Sequence, residues 1–374
     1  MDLRPEVAGA AFSVREISEK AGQQEDAVRF DIGQPDFRTP EVVRHTVAQQ
    51  LQEEHITYTS LWGRQDLREE IAAYESGKAG LGPEHVMVTT GGIGGLHCIM
   101  TGLLGSGQSV LMNDPAWMPY SLIANVSPGT FDQVSFFDGD GGVRRDAIRE
   151  AVTDDTELLL LNTPENPTGR VYTREQVQAL GAIAAEHDLW MVADEVYDHL
   201  LYGDATHVSP LELFPDRTIT VKSLSKNFAM TGWRLGWIAA RNEGLIRELG
   251  KVNRAATACP NFPAQLAGLV ALQEAQDYVE EMRAAFEQRR DLTMKRINEL
   301  GWDAVTPAGS IYAFPDVGTD SWTFAEELLA EAGVGVVPGA AAGSASDTNV
   351  RICFGSVDLD RIAEGFDRIE AFVG

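Results

Sequence analysis

Four consecutive leucines, Leu158-Leu159-Leu160-Leu161, run into Asn162 and then into a proline-containing turn. Such a run has no polar face, so a strand made of it must be covered on both sides, the condition of a strand inside a parallel sheet. Three further apolar runs have the same form. Val86-Met87-Val88-Thr89 ends in a glycine cluster, Ser109-Val110-Leu111-Met112 ends ahead of Asp114-Pro115, and Leu189-Trp190-Met191-Val192-Ala193 ends in Asp194-Glu195. From Gly91 to Arg234 the chain therefore reads as repeated strand-then-helix units, the pattern of a mostly parallel sheet with helices on both faces. Ligands of such sheets bind beyond the carboxyl ends of the strands, where the polar residues just named stand.

With 374 residues, 44% of them apolar, the chain can bury a large core and is expected to form two domains. Residues 36–265 would make the larger one. Helical stretches from Asp277 to Leu300 and Phe324 to Ala332, with strands at Ile311 to Phe314 and around Arg351, predict a smaller α+β domain over residues 266–374. The N-terminal segment, residues 1–35, is expected to join it, and one long helix around 240–300 to connect the two bodies.

Several segments carry chemistry. Ser223-Leu224-Ser225-Lys226 puts one amine beside two hydroxyls, and Arg234 adds a guanidinium eight residues on (234 − 226). An amine condenses with an aldehyde, while hydroxyls and a guanidinium hold a phosphate; pyridoxal phosphate carries both groups on one ring. Asp194, at the end of an apolar strand, needs a cation if it is buried and ionised, and a protonated pyridinium nitrogen is one. The glycines after Thr90 let backbone amides approach an anion at a helix start. Arg351, in the alternating run Asn349-Val350-Arg351-Ile352-Cys353-Phe354, presents a planar fork that matches a carboxylate. Each segment alone also has a plain structural reading: a chance Ser-x-Ser-Lys, a helix-capping Asp, a tight turn, an exposed strand arginine.

Their order along one chain resembles the class I/II aminotransferases, the fold-type-I family of pyridoxal phosphate enzymes. Ser223 to Gly236 resembles the family's lysine motif, and Asn162-Thr163-Pro164-Glu165-Asn166-Pro167-Thr168-Gly169 its N-x-P-x-N-P-T-G turn. Asp194-Glu195-Val196-Tyr197 is similar to D-E-x-Y, Asn349 to Phe354 to the V-R-I/L-S-F strand, and Gly33-Gln34-Pro35-Asp36-Phe37 to G-x-P-D-F. The resemblance implies a seven-stranded-type, mostly parallel sheet sandwiched by helices, with a smaller α+β domain. It makes Lys226 the residue bonded to the cofactor aldehyde and Asp194 the partner of the ring nitrogen. Asn166 and Tyr197 would reach the 3′ oxygen, and Trp117 would stack on the ring. Ser223, Ser225, Arg234 and the amides around Gly91, Gly92 and Ile93 would hold the phosphate. Lys226, Asp194 and Tyr197 are the expected catalytic residues; Gly33, Asn166 and Arg351 would meet the substrate. Tyr58 resembles the tyrosine that reaches the neighbouring subunit's phosphate, which implies a homodimer. Two departures stand out. Ile93-Gly94-Gly95 replaces longer polar residues, and Tyr58-Thr59-Ser60-Leu61-Trp62-Gly63 replaces Y-T-P-x-x-G.

The implied reaction moves an amino group from an L-amino acid to a 2-oxo acid, with broad aspartate/aromatic-type specificity. Arg38, Arg64 and Arg254 are candidate cations for a distal carboxylate; Phe37, Trp62 and Trp117 would equally suit an aromatic or aliphatic side chain. A C–S β-lyase on the same scaffold shares nearly all these residues and stays open. A pyridoxal-phosphate-sensing regulator domain is less favoured, since it would follow a basic DNA-binding domain.

Fifty-six acidic against 30 basic residues give a net charge of −26, which disfavours nucleic acid and anionic membranes as partners. Only six of the basic residues are lysines, a balance expected either of a salt-rich cytoplasm or of a merely acidic enzyme. Cys98, Cys259 and Cys353 lie in or beside apolar segments and read as buried thiols of a reducing compartment. The histidines show no metal-ligand spacing, so no metal is expected. Met1-Asp2-Leu3-Arg4-Pro5 lacks a leader pattern, and the cytoplasm is the expected location.

Overall fold

The computed structural model describes residues 13–53, 55–75 and 80–374; Met1 to Pro5, read above for a leader, lie outside them. Helix α1 (Ser13–Gln23) and the short strand β1 (Val28–Arg29) come first, then helices α2 (Glu41–Glu53) and α3 (Gln65–Tyr74). The large sheet follows in chain order: β2 (Val86–Thr89), helix α4 (Gly91–Leu103), β3 (Ser109–Asn113), helix α5 (Pro119–Val126) and β4 (Thr130–Val134). It continues through β5 (Thr156–Asn162), helix α6 (Arg174–Glu186), β6 (Trp190–Asp194), β7 (Thr218–Ser223) and β8 (Gly236–Ala239).

These strands form one seven-stranded sheet in the order β2-β8-β7-β6-β5-β3-β4. All are parallel except β8, which runs antiparallel to both β2 and β7. The leucine run shows why helices cover both faces. Leu158 and Leu160 pack with Val192, Val221, Ile238 and the apolar side of α4 and α5. Leu159 and Leu161 point the other way, onto Val177, Leu180 and Ile183 of α6. Strand alternation thus divides four identical side chains between two cores.

Where one long helix was expected near 240–300, three are present: α7 (Glu243–Thr257), α8 (Phe262–Glu274) and α9 (Gln276–Glu299). The breaks have local causes. Ala258 adopts φ 61°, in the left-handed half of the map, and Pro260 lies beyond it. Asn261 then caps a new helix by accepting the Ala264 amide at 2.9 Å, with Pro263 in the first turn. Helix α8 packs on α2 and α3, whereas α9 sends Met282, Phe286 and Ile297 into a separate core.

That second core is built on β9 (Tyr312–Ala313), β10 (Val334–Gly335), β11 (Val337–Pro338), β12 (Val350–Cys353) and helix α10 (Leu359–Val373). Strand β1 pairs in parallel with β10, Val28 opposite Val334, so the N-terminal segment is stitched into this body. Strands β11, β12 and β9 form an antiparallel sheet. Cys98 and Cys353 are buried, but Cys259 is only half-buried, because it lies in the exposed bend between α7 and α8 rather than in an apolar element. No helix among the described residues is long and apolar enough to cross a membrane.

Candidate active site

The carboxyl ends of β2, β5, β6 and β7 meet residues from β12, α1 and the Asp31 to Gln34 segment around one cavity of about 480 Å³. Its wall includes Gly33, Gly92, Ile93, Trp117, Asn166, Asp194, Tyr197, Ser223, Ser225, Lys226, Arg234 and Arg351. Residues separated by more than three hundred positions in sequence therefore face one space.

At its centre stand Asp194 and Lys226. Asp194 is 3% exposed, and no protein cation pairs with it among the described residues. Its Oδ2 accepts from the Tyr120 hydroxyl at 2.6 Å and its Oδ1 from the Val196 amide at 3.3 Å. Burial outweighs both bonds and pushes the carboxyl up to about 6. The Lys226 amine donates to the Gly33 carbonyl. Burial moves it the other way, down to about 8, assisted by the positive charges of Arg351 and Arg234.

One end of the cavity suits an anion. Helix α4 begins at Gly91 with no side-chain cap on its first amides, which leaves donors and the positive end of the helix dipole free for a ligand. The Ser223 and Ser225 hydroxyls lie 2.7 Å apart beside it. Gly91 has φ 70°, a conformation that favours glycine, and a Cβ there would also meet Arg234 Nη2 at 2.6 Å.

The opposite side is organised by Arg351. Its Nη1 donates to Asn166 Oδ1 at 3.2 Å and its Nη2 to the Asp31 carbonyl at 3.0 Å, while Nε is buried with no partner. The guanidinium lies 4.6 Å from the Tyr312 ring centroid, and Tyr312 shares a 3.0 Å hydroxyl contact with Tyr197. A Cβ on Gly33 would lie 2.6 Å from the Tyr312 hydroxyl, so this backbone too must be glycine. Trp117 stands edge-on to Tyr120 at 5.1 Å between centroids.

Some expected residues lie elsewhere. Tyr58 is 88% exposed and does not line the cavity. Arg64 is bound to Asp66 at 2.6 Å, Arg38 and Arg254 are exposed, and none of the three lines the cavity. Phe37 packs on Phe286, and Trp62 packs under α7, both away from the cavity. Conversely, sequence reasoning missed Tyr120, Tyr312, Asp31 and Arg15, which do line it. Tyr120 follows Trp117 by three residues across the turn that opens α5, where its amide donates to the Trp117 carbonyl at 3.0 Å, so closeness to Trp117 could have found it; Tyr312 and Arg15 carry no such signal.

A model of the family "Aminotransferase class I and II" matches residues 25–369. The chain is 36% identical to the aspartate/prephenate aminotransferase of Thermus thermophilus, covering 92% of this chain and 91% of that protein. It is 33% identical to aromatic-amino-acid aminotransferase 2 of Thermococcus litoralis, over 96% and 94% of the two chains. The solved structure of the Thermus thermophilus aspartate aminotransferase with maleate superposes with a TM-score of 0.93 at 33% identity, covering 99% of each chain. The chain belongs to the class I and II aminotransferases. It is a pyridoxal phosphate-dependent transaminase of amino and oxo acids, and the unpaired buried Asp194, the uncapped helix start beside Arg234 and the orphaned Arg351 Nε all fit that cofactor and a carboxylate substrate.

Proposed function

We propose that this enzyme moves the amino group of an aspartate- or aromatic-type L-amino acid onto a 2-oxo acid, as a cytoplasmic homodimer, with Lys226, Asp194 and Tyr197 as catalytic residues. One observation carries the assignment: an amine held at about 8 and a carboxyl held at about 6 face a single cavity, each displaced toward neutrality by the same burial. Bound pyridoxal phosphate supplies the electron sink that makes the substrate α-hydrogen acidic.

The protein's own part follows from the geometry. Asp194 would keep the ring nitrogen protonated, since that contact gives a buried carboxylate the cation it lacks. The amides of Gly91, Gly92 and Ile93, the hydroxyls of Ser223 and Ser225, and Arg234 would hold the phosphate. Trp117 would cover one ring face. Arg351 occupies the carbonyl end of the Asn166 amide, so the NH2 end is the donor available to the cofactor oxygen, beside the Tyr197 hydroxyl. The Arg351 fork would grip the substrate carboxylate near Gly33. Neutral Lys226 would then take the proton from the substrate α-carbon onto Nζ and, as the ammonium so formed, be the acid for its return.

For the side chain of the substrate, the wall offers Val14, Ile93, Trp117 and Met118, with Arg15 of α1 at the rim. Apolar contact for an aromatic ring and one arginine for a second carboxylate support the broad reading, as do the names of the relatives. Three unpaired cysteines support a reducing compartment. The purified enzyme should absorb visible light, lose the band on borohydride treatment and carry the label on Lys226; a Lys226→Ala protein that still forms the reducible bond sinks the assignment. A screen of single amino acids for loss of the same band identifies the donor.

A further inference from the structure

A second lysine stands four residues before Lys226. Strand alternation puts Ser223 on the cavity and turns Lys222 away from it, into the core behind the sheet. Lys222 is 2% exposed, and its ammonium reaches Glu75 at 3.0 Å, Glu195 at 3.5 Å and Asp198 more closely still. Removing charges from water is costly, and apolar side chains in place of the whole cluster would pack such a site about as well, although removing the lysine alone would strand three carboxylates. The cluster therefore asks for a reason other than stability.

Its connections supply one. Glu195 and Asp198 bracket the turn that follows β6. That turn carries Tyr197, and its Val196 amide donates to Asp194 at 3.3 Å. Asp198 Oδ1 also accepts from Asn227 Nδ2 at 2.8 Å, and Asn227 is the neighbour of Lys226. Glu75 accepts from Trp237, the cross-strand partner of Lys222, at 3.3 Å. Glu195 accepts from Ser209 at 2.5 Å and faces His207 at 3.4 Å; Tyr74, bonded to His199, presents its ring 5.8 Å from the ammonium. A single ammonium thus joins the turn after Asp194 to the segment bearing Lys226, from the side of the sheet that no substrate reaches.

We propose that Lys222 is a positioning residue of amino transfer, clamping the Asp194 to Asp198 turn against the Lys222 to Asn227 segment so that carboxylate and amine face each other across the cavity. This rests on the reading that Lys226 and Asp194 hold the cofactor. The negative charge of Glu195 also helps hold the Asp194 carboxyl up, so the clamp bears on protonation as well as position.

The test uses holoenzyme with Lys222→Met, Lys222→Arg and Glu195→Gln. In Lys222→Met we expect kcat to fall at least about tenfold with KM changed less than about threefold, since small misplacements of reacting groups cost rate rather than binding. The pH midpoint of the bound cofactor's visible absorption should move by about half a unit or more. Lys222→Arg should recover part of both. A kcat within about twofold of the parent and an unmoved midpoint overturn the proposal, whatever happens to the melting temperature. If Lys222→Met does not fold, Glu195→Gln, which keeps its shape and its Ser209 contact, decides by the same fall in kcat at constant KM, since loss of its charge alone moves the midpoint. Borohydride labelling of the parent separates the two layers: label away from Lys226 sinks the underlying reading, whereas label on Lys226 with kcat unmoved in the variants sinks this one alone.

Discussion

Replacing Lys226 with methionine is expected to abolish amino transfer and, in cofactor-free protein, to stabilise the fold at pH 7. Burial holds the amine at about 8 against an ordinary 10.5, a difference of 10.5 − 8 = 2.5 units. At about 1.36 kcal/mol per unit, the folded protein carries a cost of about 3.4 kcal/mol while the amine is protonated. The amine looks into an open cavity and Lys226 is only half-buried, so solvent relieves a share of this, leaving about 1.5–2 kcal/mol. The pH dependence fixes the cause. Between about 8 and 10.5 the unfolded chain binds more protons at this site than the folded one, so the parent gains stability as pH rises through that window. Methionine has no such titration, and its pH-independent packing gain cancels when two pH values are compared. The electrostatic part of the variant's advantage should therefore be full at pH 7 and fall to roughly a quarter at pH 10. Urea denaturation of cofactor-stripped parent and variant at both values measures it. A variant less stable at pH 7, or an advantage equal at both, would refute the reasoning.

Arg351→Lys should raise KM for the amino acid roughly 10–100-fold, because hydrogen bonds to a charged group contribute about 1.5–3 kcal/mol and an ammonium cannot reproduce the fork that now spans Asn166 and Asp31; a change below about threefold in steady-state assays counts against the clamp. Tyr58 is exposed in the single chain, and if it serves a neighbouring site, mixing inactive Lys226→Ala and impaired Tyr58→Phe subunits should regenerate intact sites and raise activity above either alone. No gain after subunit exchange, or full activity in a sedimenting monomer, rules that arrangement out.

The parallel sheet was legible because its signal is local. Each strand carries its own burial requirement in composition, and Leu158 to Leu161 need two covered faces wherever they lie. The α7–α8–α9 division was missed although Pro260, Asn261 and Pro263 mark it; the left-handed turn at Ala258 that ends α7 sits on an alanine and carries no sequence signal. Proximity in sequence misled for the distal cation. Arg38, Arg64 and Arg254 neighbour residues expected in the site, yet none of them lines the cavity; Arg15, itself paired with Glu19 at 2.9 Å, does, from a helix whose placement depends on the second core.

The two lysines of β7 and its following turn show where that limit comes from. Lys222 and Lys226 have the same chemistry, lie four residues apart and sit beside similar neighbours, so composition cannot tell them apart. What separates them is that Lys222 lies on the face of β7 turned from the cavity while Lys226 lies in the turn beyond the strand, and that residues 75, 195 and 198 arrive only at the first. Lys222 finds three carboxylates and is held well above the ordinary lysine range; Lys226 finds Arg351, Arg234 and a single buried carboxyl and is held below it. Reactivity in this chain is thus assigned by long-range packing. An amine fully compensated by carboxylates can fix geometry but stays protonated, and only the uncompensated one can give up its proton near neutral pH and act as a base.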